Sequence, residues 1–126
     1  MIMKMIDLHT HSNCSDGSMS PTELVAYAAS KNISAIALSD HDTVSGIDEA
    51  MAAGQKYGVE VIPAIEFSVQ SETETHILGY FIDHKSPVIA EALANINSVR
   101  RRRTENTCKN LRKLGVDVSV DEALAI

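Results

Sequence analysis

Cysteine, proline and glycine are scarce in this chain of 126 residues, and long apolar runs are missing from it. The two cysteines, Cys14 and Cys108, belong to no Cys-x-x-Cys or Cys–His pattern, which argues against a disulfide framework and against a zinc finger. Three prolines, six glycines and an apolar fraction of 44% favour a globular fold over a disordered or fibrous one. The longest clear apolar stretch, Leu24–Ala29, is far shorter than the roughly 20 residues that span a bilayer.

Positive charge is also in short supply. The 11 lysines and arginines stand against 17 aspartates and glutamates, and the net charge of −6 argues against coating duplex DNA or binding a membrane through basic residues. Residues 1–84 carry 12 acidic and 3 basic side chains, whereas residues 85–126 carry 5 and 8. Near the N-terminus Asp7 precedes any apolar region that a signal peptide would need, so we expect a cytoplasmic protein with reduced cysteines.

Strand and helix signals alternate along the chain. Apolar runs predict strands at Lys4–Leu8, Ala35–Ser39, Val59–Ser68 and Thr75–Ile82. Capping residues, first-turn prolines and terminal glycines predict helices over residues 20–32, 45–57 and 86–114, with a short fourth helix near Ser119. This order is typical of βαβ units around a parallel sheet, and the chain is therefore expected to have an α/β fold. The link over residues 69–74 is too short for a helix, which predicts a hairpin-like or irregular connection.

Histidines lie near the ends of several predicted strands. His9 and His11 follow the first strand, and His41 follows the second. The carboxyl ends of parallel strands meet at one edge of an α/β fold, where binding sites are built. His76 lies at the beginning of the fourth predicted strand, so it reaches that edge only if this strand is antiparallel or begins later. His84 lies outside this pattern and is expected to be a solvated loop residue.

Each of these patterns has an ordinary structural explanation when it is taken alone. In extended backbone Asp7, His9 and His11 point the same way, yet a His-x-His pair also occurs as hydrogen-bonded histidines at a strand end. The segment SDHD can be a polar transition into a helix cap, and Asp16 followed by glycine is an ordinary turn signal. His76 fits an edge strand equally well.

Glu66 is harder to explain structurally, because it interrupts the apolar segment VIPAIEFSV and a buried carboxylate needs a partner. Imidazoles and carboxylates at successive strand ends suit divalent ions such as Zn²⁺, Mn²⁺ or Fe²⁺. The candidate ligands are His9, His11, Asp16, His41, Glu66 and His76. They are too many for one tetrahedral site, so the sequence predicts more than one ion. Neighbouring ions typically bind a phosphate and lower the pKa of a bound water.

Four segments of the chain, DLHTHSNCSDG, SDHD, PAIEFS and THILGYF, resemble the successive motifs of the PHP (polymerase and histidinol phosphatase) superfamily. The likeness is greatest to its small bacterial metal-dependent phosphoesterases and covers about residues 5–84. It implies the N-terminal portion of a distorted (β/α)7 TIM-like barrel with up to three metal ions. The family's later histidine and its C-terminal Asp-x-His motif have no counterpart after His84, which implies a truncated product or a fragment.

The resemblance also assigns the individual residues. It implies one ion bound by His9, His11 and Glu66, a second bound by Glu66 and His76, and a third bound by Asp16 and His41. Three further aspartates are placed behind these ligands or at the barrel mouth: Asp7, Asp40 and Asp42. Residues 1–84 would form the metal-binding core, and residues 85–126 the long helix that begins a helical insertion. On that helix, Arg100 and Arg103 are candidates for binding a substrate phosphate.

The activity that the resemblance implies is hydrolysis of a phosphate ester by metal-bound hydroxide. The expected substrate is a small nucleotide, either a 3′,5′-nucleoside bisphosphate or a short oligonucleotide, and histidinol phosphate is the alternative within the same chemistry. A second alternative is a non-catalytic metal-binding fragment or an accessory PHP domain, as occurs in polymerases. A third is an inert fragment, whose exposed parallel sheet edge after the fourth strand would favour self-association. We expect little activity from this chain alone.

Overall fold

The computed structural model describes residues 5–69, 73 and 75–125. Its elements, in chain order, are β1 (Met5–Thr10), α1 (Pro21–Ser30), β2 (Ile33–Leu38), α2 (Ile47–Tyr57), β3 (Glu60–Val69), β4 (Thr75–Tyr80), α3 (Pro87–Lys113) and α4 (Val120–Leu124). Two compact units are present, one up to Ile89 and one from Ala90 onward. No helix in the described part of the chain is both long enough and apolar enough to cross a membrane.

The first unit is built on a four-stranded sheet in the order β1-β2-β3-β4. The first three strands are parallel, and β4 is antiparallel to β3. The predicted hairpin-like or irregular connection over residues 69–74 lies mostly outside the described residues. The reversal of β4 pairs His76 with Ser68 near the carboxyl end of β3, so the first residues of β4 lie at the same edge as the ends of the parallel strands. The free edge at β4 therefore belongs to an antiparallel strand, and the prediction of a parallel edge there is wrong.

Local sequence signals explain where the helices begin and end. At α1, the Ser20 hydroxyl accepts a hydrogen bond from the Glu23 amide, and the Glu23 carboxylate accepts one from the Ser20 amide. The helix α2 ends as predicted at Gly58, whose φ of 71° is left-handed. It begins at Ile47 rather than at the predicted Ser45, because the Ser45 hydroxyl accepts a hydrogen bond from Thr43 and does not cap the helix.

The core of the first unit lies where α1 and α2 pack against β2 and β3. Alternating strand residues and one stripe of each helix supply it, with Val25, Ile36, Leu38, Ile47 and Ala50 all buried. Each Å² of apolar surface removed from water stabilises the fold by about 25 cal/mol. This apolar layer is therefore the main source of stability in the unit. It holds the strand ends, which carry the polar residues, in fixed relative positions.

The second unit contains most of α3 together with α4. Ser119 caps α4 by the same reciprocal arrangement as at α1, with hydrogen bonds between Ser119 and Glu122. Cys108 is buried in this unit, and the chain turns after α3 at Gly115, whose φ is 85°. The proposed boundary between a metal-binding core and a helical insertion stays a prediction.

His84 does not lie free in solvent, so the prediction of a solvated loop residue is wrong. Its side chain is only 15% exposed, and its Nε2 lies 2.9 Å from Oδ1 of Asp48 in the first turn of α2. Lys85 Nζ lies 3.3 Å from the same oxygen. The two basic side chains fasten the segment after β4 to α2.

This contact predicts a pH-dependent contribution to stability. The hydrogen bonds from His84 and Lys85 hold the pKa of Asp48 below its usual range. Such a group stabilises the folded chain above its unfolded pKa, about 3.9, and this stabilisation is lost as the pH falls through the lower folded value. We expect Asp48→Asn to lower the melting temperature at pH 6 and to approach the parent below about pH 4. Melting curves followed by circular dichroism test this, with Glu60→Gln as the control for losing one charge. A difference that does not vary with pH would contradict it.

Candidate metal centre

Glu66 lies at the centre of the polar cluster. Its side chain is on β3, and the residue is only 5% exposed. Its Oε2 lies 2.8 Å from His9 Nε2 and 3.0 Å from His11 Nε2. Its Oε1 lies 3.0 Å from His76 Nδ1. The buried carboxylate therefore has imidazole nitrogens on both of its oxygens.

A second carboxylate, Asp16, lies beside the same histidines but is exposed to solvent. Its Oδ1 is 3.4 Å from His11 Nδ1, and its Oδ2 is 3.6 Å from His41 Nε2. The nitrogen of His41 is also 3.8 Å from Oε2 of Glu66. The structure thus brings together all six candidate ligands named from the sequence.

The four imidazole rings form a continuous row. Ring centroids are 5.0 Å apart between His9 and His11, 4.6 Å between His11 and His41, and 4.9 Å between His41 and His76. The row places several nitrogen atoms that can bind a metal ion within a small volume.

Backbone pairing explains why His41 lies next to Glu66. The two residues form an isolated parallel bridge beyond the end of β2. The Glu66 amide donates to the carbonyl of Asp40 at 3.2 Å, and the Asp42 amide donates to the carbonyl of Glu66 at 3.1 Å. Asp42 has a left-handed φ of 50°, and its Oδ1 accepts from the Ser68 amide at 2.9 Å. The chain after β2 is thereby attached to β3 on both sides of Glu66.

Electrostatics keep Glu66 ionised. Burial is the largest single influence on Glu66 and raises its pKa. The hydrogen bond from His9, the charges of His41 and His9 and the hydrogen bond from His76 together outweigh burial, so the pKa lies below its usual range. Glu66 is therefore a carboxylate at neutral pH, which is the form that binds a cation.

The donor set fits divalent cations. Three groups have ligand atoms that lie within 4.8 Å of one another: His9, His11 and Glu66; His11, Asp16 and His41; and His41, Glu66 and His76. Two ligands that are each about 2.1 Å from one ion lie at most about 4.2 Å apart, and the separations of 2.8 to 3.8 Å given above are within that limit. In addition, His11 Nδ1 is buried and makes no hydrogen bond within the described residues. An acceptor nitrogen left in this way is suited to a metal ion.

The remaining site predictions have different positions. Asp7 is exposed, and its Oδ1 accepts a hydrogen bond from the His9 amide at 3.2 Å. Asp40 and Asp42 are buried behind the cluster. Arg100 and Arg103 belong to the second unit, where they line a groove beside α4, and their predicted role stays a prediction.

Sequence reasoning missed two serines that support the cluster, Ser12 and Ser15. Both donate hydrogen bonds to the buried Asp40. Serine is common in polar loops, and the contact joins residues 28 and 25 positions apart in the chain. The only available signal was the unusual density of aspartates around the same loops.

The family model of the PHP domain matches residues 7–117 of this chain. The chain belongs to the PHP domain family. The match includes all six candidate ligands and extends from the first strand through α3. The α/β fold predicted from the sequence is confirmed as that of a PHP chain.

The proteins similar to this chain include an exoribonuclease and a phosphatase. This PHP chain is 39% identical, over 98% of its length, to a 5′-3′ exoribonuclease of Haemophilus influenzae, and 37% identical over 97% to a 3′,5′-nucleoside bisphosphate phosphatase of Chromobacterium violaceum. A solved structure from Bifidobacterium adolescentis, described as a proposed metal-dependent phosphoesterase, matches 97% of the chain with a TM-score of 0.82 and 30% identity. The PHP chain covers 45%, 43% and 43% of these proteins respectively. Its sheet therefore corresponds to part of the PHP barrel.

The loop that carries Asp16 closes through a tight approach at Gly17. The amides of Ser15 and Gly17 both donate to the carbonyl of Ser12, at 3.2 and 2.9 Å. A Cβ atom at position 17 would lie 2.4 Å from the carbonyl oxygen of His11. Glycine is therefore required at position 17 for steric reasons.

We expect Gly17→Ala to destabilise the chain by about 1–3 kcal/mol, because the backbone must move to admit the methyl group. The amides of Ser15 and Gly17 should then exchange their hydrogens faster. The control is Gly58→Ala, where a Cβ meets nothing within 4 Å but the backbone is left-handed. That change should cost about 1–2 kcal/mol and leave the loop amides protected. Unchanged exchange at position 15 in Gly17→Ala would contradict the steric argument.

Proposed function

We propose that His9, His11, Asp16, His41, Glu66 and His76 bind divalent metal ions, and that this chain carries part of the active site of a nucleotide-directed phosphoesterase. The observation that carries the proposal is the buried carboxylate of Glu66 with imidazole nitrogens 2.8 to 3.0 Å from both of its oxygens. A carboxylate in this position can bridge two ions. The relatives' names and the family membership support the same chemistry.

The cluster is open to solvent on the side where a substrate would enter. The side chain of His9 is 48% exposed and that of Asp16 is 68% exposed, whereas Glu66 lies beneath them. Divalent ions bound here would neutralise phosphate charge and lower the pKa of a bound water. The protein's own contribution is to hold four imidazoles and two carboxylates at fixed separations, so that little reorganisation accompanies the reaction. Manganese, zinc and iron all match these nitrogen and oxygen ligands.

The proposed substrate is a small nucleotide, either a 3′,5′-nucleoside bisphosphate or a short oligonucleotide. The names of the two curated relatives favour a nucleotide over histidinol phosphate. A cytoplasmic location is part of the proposal and is supported by the unpaired Cys14 and Cys108. Self-association through the β4 edge stays a prediction.

Arg100 and Arg103 are proposed to bind a phosphate of the substrate. They line a groove of about 320 Å³ together with the hydroxyl-bearing Thr104 and Thr107. Two guanidinium groups one helical turn apart can bind a dianionic phosphate from the same face. We expect Arg103→Ala to raise KM at least about tenfold with a smaller effect on kcat. The neighbouring Arg102→Ala serves as the matched control, and equal effects of the two changes would contradict a specific phosphate contact.

The metal content of the chain is the primary test. After dialysis against metal-free buffer, elemental analysis should find at least one tightly held ion per parent chain. Glu66→Gln should weaken metal binding by at least about tenfold, because Glu66 belongs to two of the three ligand groups. The control Glu60→Gln, on the exposed start of the same strand, should keep the parent content. A parent chain that holds no metal after loading with Mn²⁺ or Zn²⁺ would refute the proposal.

Hydrolysis products distinguish the catalytic proposal from the accessory-domain alternative: phosphate from a bisphosphate, and nucleoside monophosphates from an oligonucleotide. With Mn²⁺ added, we expect slow hydrolysis of adenosine 3′,5′-bisphosphate or of a 5′-phosphorylated oligoribonucleotide, and slower hydrolysis of histidinol phosphate. Glu66→Gln should abolish all of these activities. Full metal content with neither phosphate nor nucleoside monophosphate released above the Glu66→Gln background would instead favour a non-catalytic metal-binding chain.

A further inference from the structure

Asp40 is a buried carboxylate that belongs to none of the three candidate ligand groups. It is 2% exposed, yet it accepts three short hydrogen bonds. The Ser12 amide donates to Oδ1 at 2.7 Å, the Ser12 hydroxyl donates to Oδ2 at 2.6 Å, and the Ser15 hydroxyl donates to Oδ1 at 2.6 Å. Hydrogen bonds to an ionised acceptor at these distances are among the strongest in proteins.

The three hydrogen bonds reach the loop that carries two of the candidate ligands. His11 directly precedes Ser12, and Asp16 directly follows Ser15. Ser12 also organises the loop internally, because its hydroxyl accepts from the Cys14 amide at 3.2 Å and its carbonyl accepts from the amides of Ser15 and Gly17. Asp40 therefore contacts the loop at Ser12 and Ser15, and Ser12 in turn contacts three further amides of the loop.

The backbone of Asp40 connects the same residue to the other half of the cluster. Its carbonyl accepts the amide of Glu66 at 3.2 Å, and His41 is the next residue in the chain. One buried residue thus contacts the loop of His11 and Asp16 through its side chain and the strand of Glu66 through its backbone. Within the described residues, no lysine, arginine or histidine forms an ion pair with Asp40.

We propose that Asp40 is a positioning residue that sets the separation between the Asp16 side and the Glu66 side of the metal centre. This inference rests on the proposed metal-binding function. Asparagine has the same shape but only one acceptor oxygen, so its NH₂ group would replace one of the two oxygens that the donors meet. At least one donor must then reverse its role or lose its partner, and the charge that strengthens the hydrogen bonds is lost, so the loop is held less firmly against the strand.

The test is the metal affinity of Asp40→Asn, measured by competition with a chromophoric chelator for Mn²⁺ and Zn²⁺. We expect the affinity to fall about 10- to 100-fold, which is the range for residues that orient metal ligands. Hydrogen exchange of the Cys14, Ser15 and Gly17 amides should accelerate in the same variant. The control is Ser34→Ala, which removes a hydroxyl that donates to the Met5 carbonyl at 3.0 Å, at the end of β1 away from the candidate ligands. It should keep the parent affinity within about threefold.

A second variant guards against misfolding of Asp40→Asn. Ser15→Ala removes one of the three hydrogen bonds to Asp40, together with the 3.3 Å contact of the same hydroxyl with Asp16 Oδ1. It should fold and lose a smaller part of the affinity, about 3- to 10-fold. If the parent chain binds metal and both Asp40→Asn and Ser15→Ala bind it with the parent's affinity, the inference is overturned. Faster loop exchange with unchanged metal affinity would also overturn it, because Asp40 would then serve stability alone. A parent chain that binds no metal would refute the proposed function itself and the inference with it.

Discussion

The whole site depends on the burial of the Glu66 carboxylate, which lies on β3 among apolar residues. Removing an ionised carboxylate from water is unfavourable unless charged or hydrogen-bonding partners replace the solvent. Here the partners are His9 and His11 at the end of β1 and His76 on β4. Since β2 lies between β1 and β3, the cluster forms only when all four strands are correctly paired.

Much of the fold follows from local signals, and the site follows from the fold. The capping serine and first-turn proline of α1, and the glycine after α2, could be recognised because each acts within one turn of helix. His9, His11 and His41 could be grouped because parallel strands end at one edge. The location of His76 could not be predicted without the direction of β4. That direction is set by the pairing of the whole strand with β3, which no local residue pattern reveals.

What the sequence could not show are contacts between distant residues that share no pattern. The hydrogen bonds from Ser12 to Asp40 and the contact of His84 with Asp48 join positions 28 and 36 apart. The late start of α2 has a related cause, because the hydroxyl of Ser45 accepts a hydrogen bond from the Thr43 hydroxyl and makes no cap hydrogen bond with the helix. The partner of each of these side chains depends on the folded geometry, so residue type alone does not determine it.

The antiparallel pairing of β4 makes metal coordination sensitive to strand alignment. His76 lies opposite Ser68 and Leu78 opposite Glu66, and side chains alternate between the two faces of a strand. If β4 slipped by one residue, the imidazole would turn to the opposite face and Ile77 would take its place. An ion bound by both Glu66 and His76 would therefore stabilise the observed register of β4 against β3 over registers shifted by one residue. In this chain, Glu66 and His76 would together determine both whether an ion is bound and whether β4 is in the correct register.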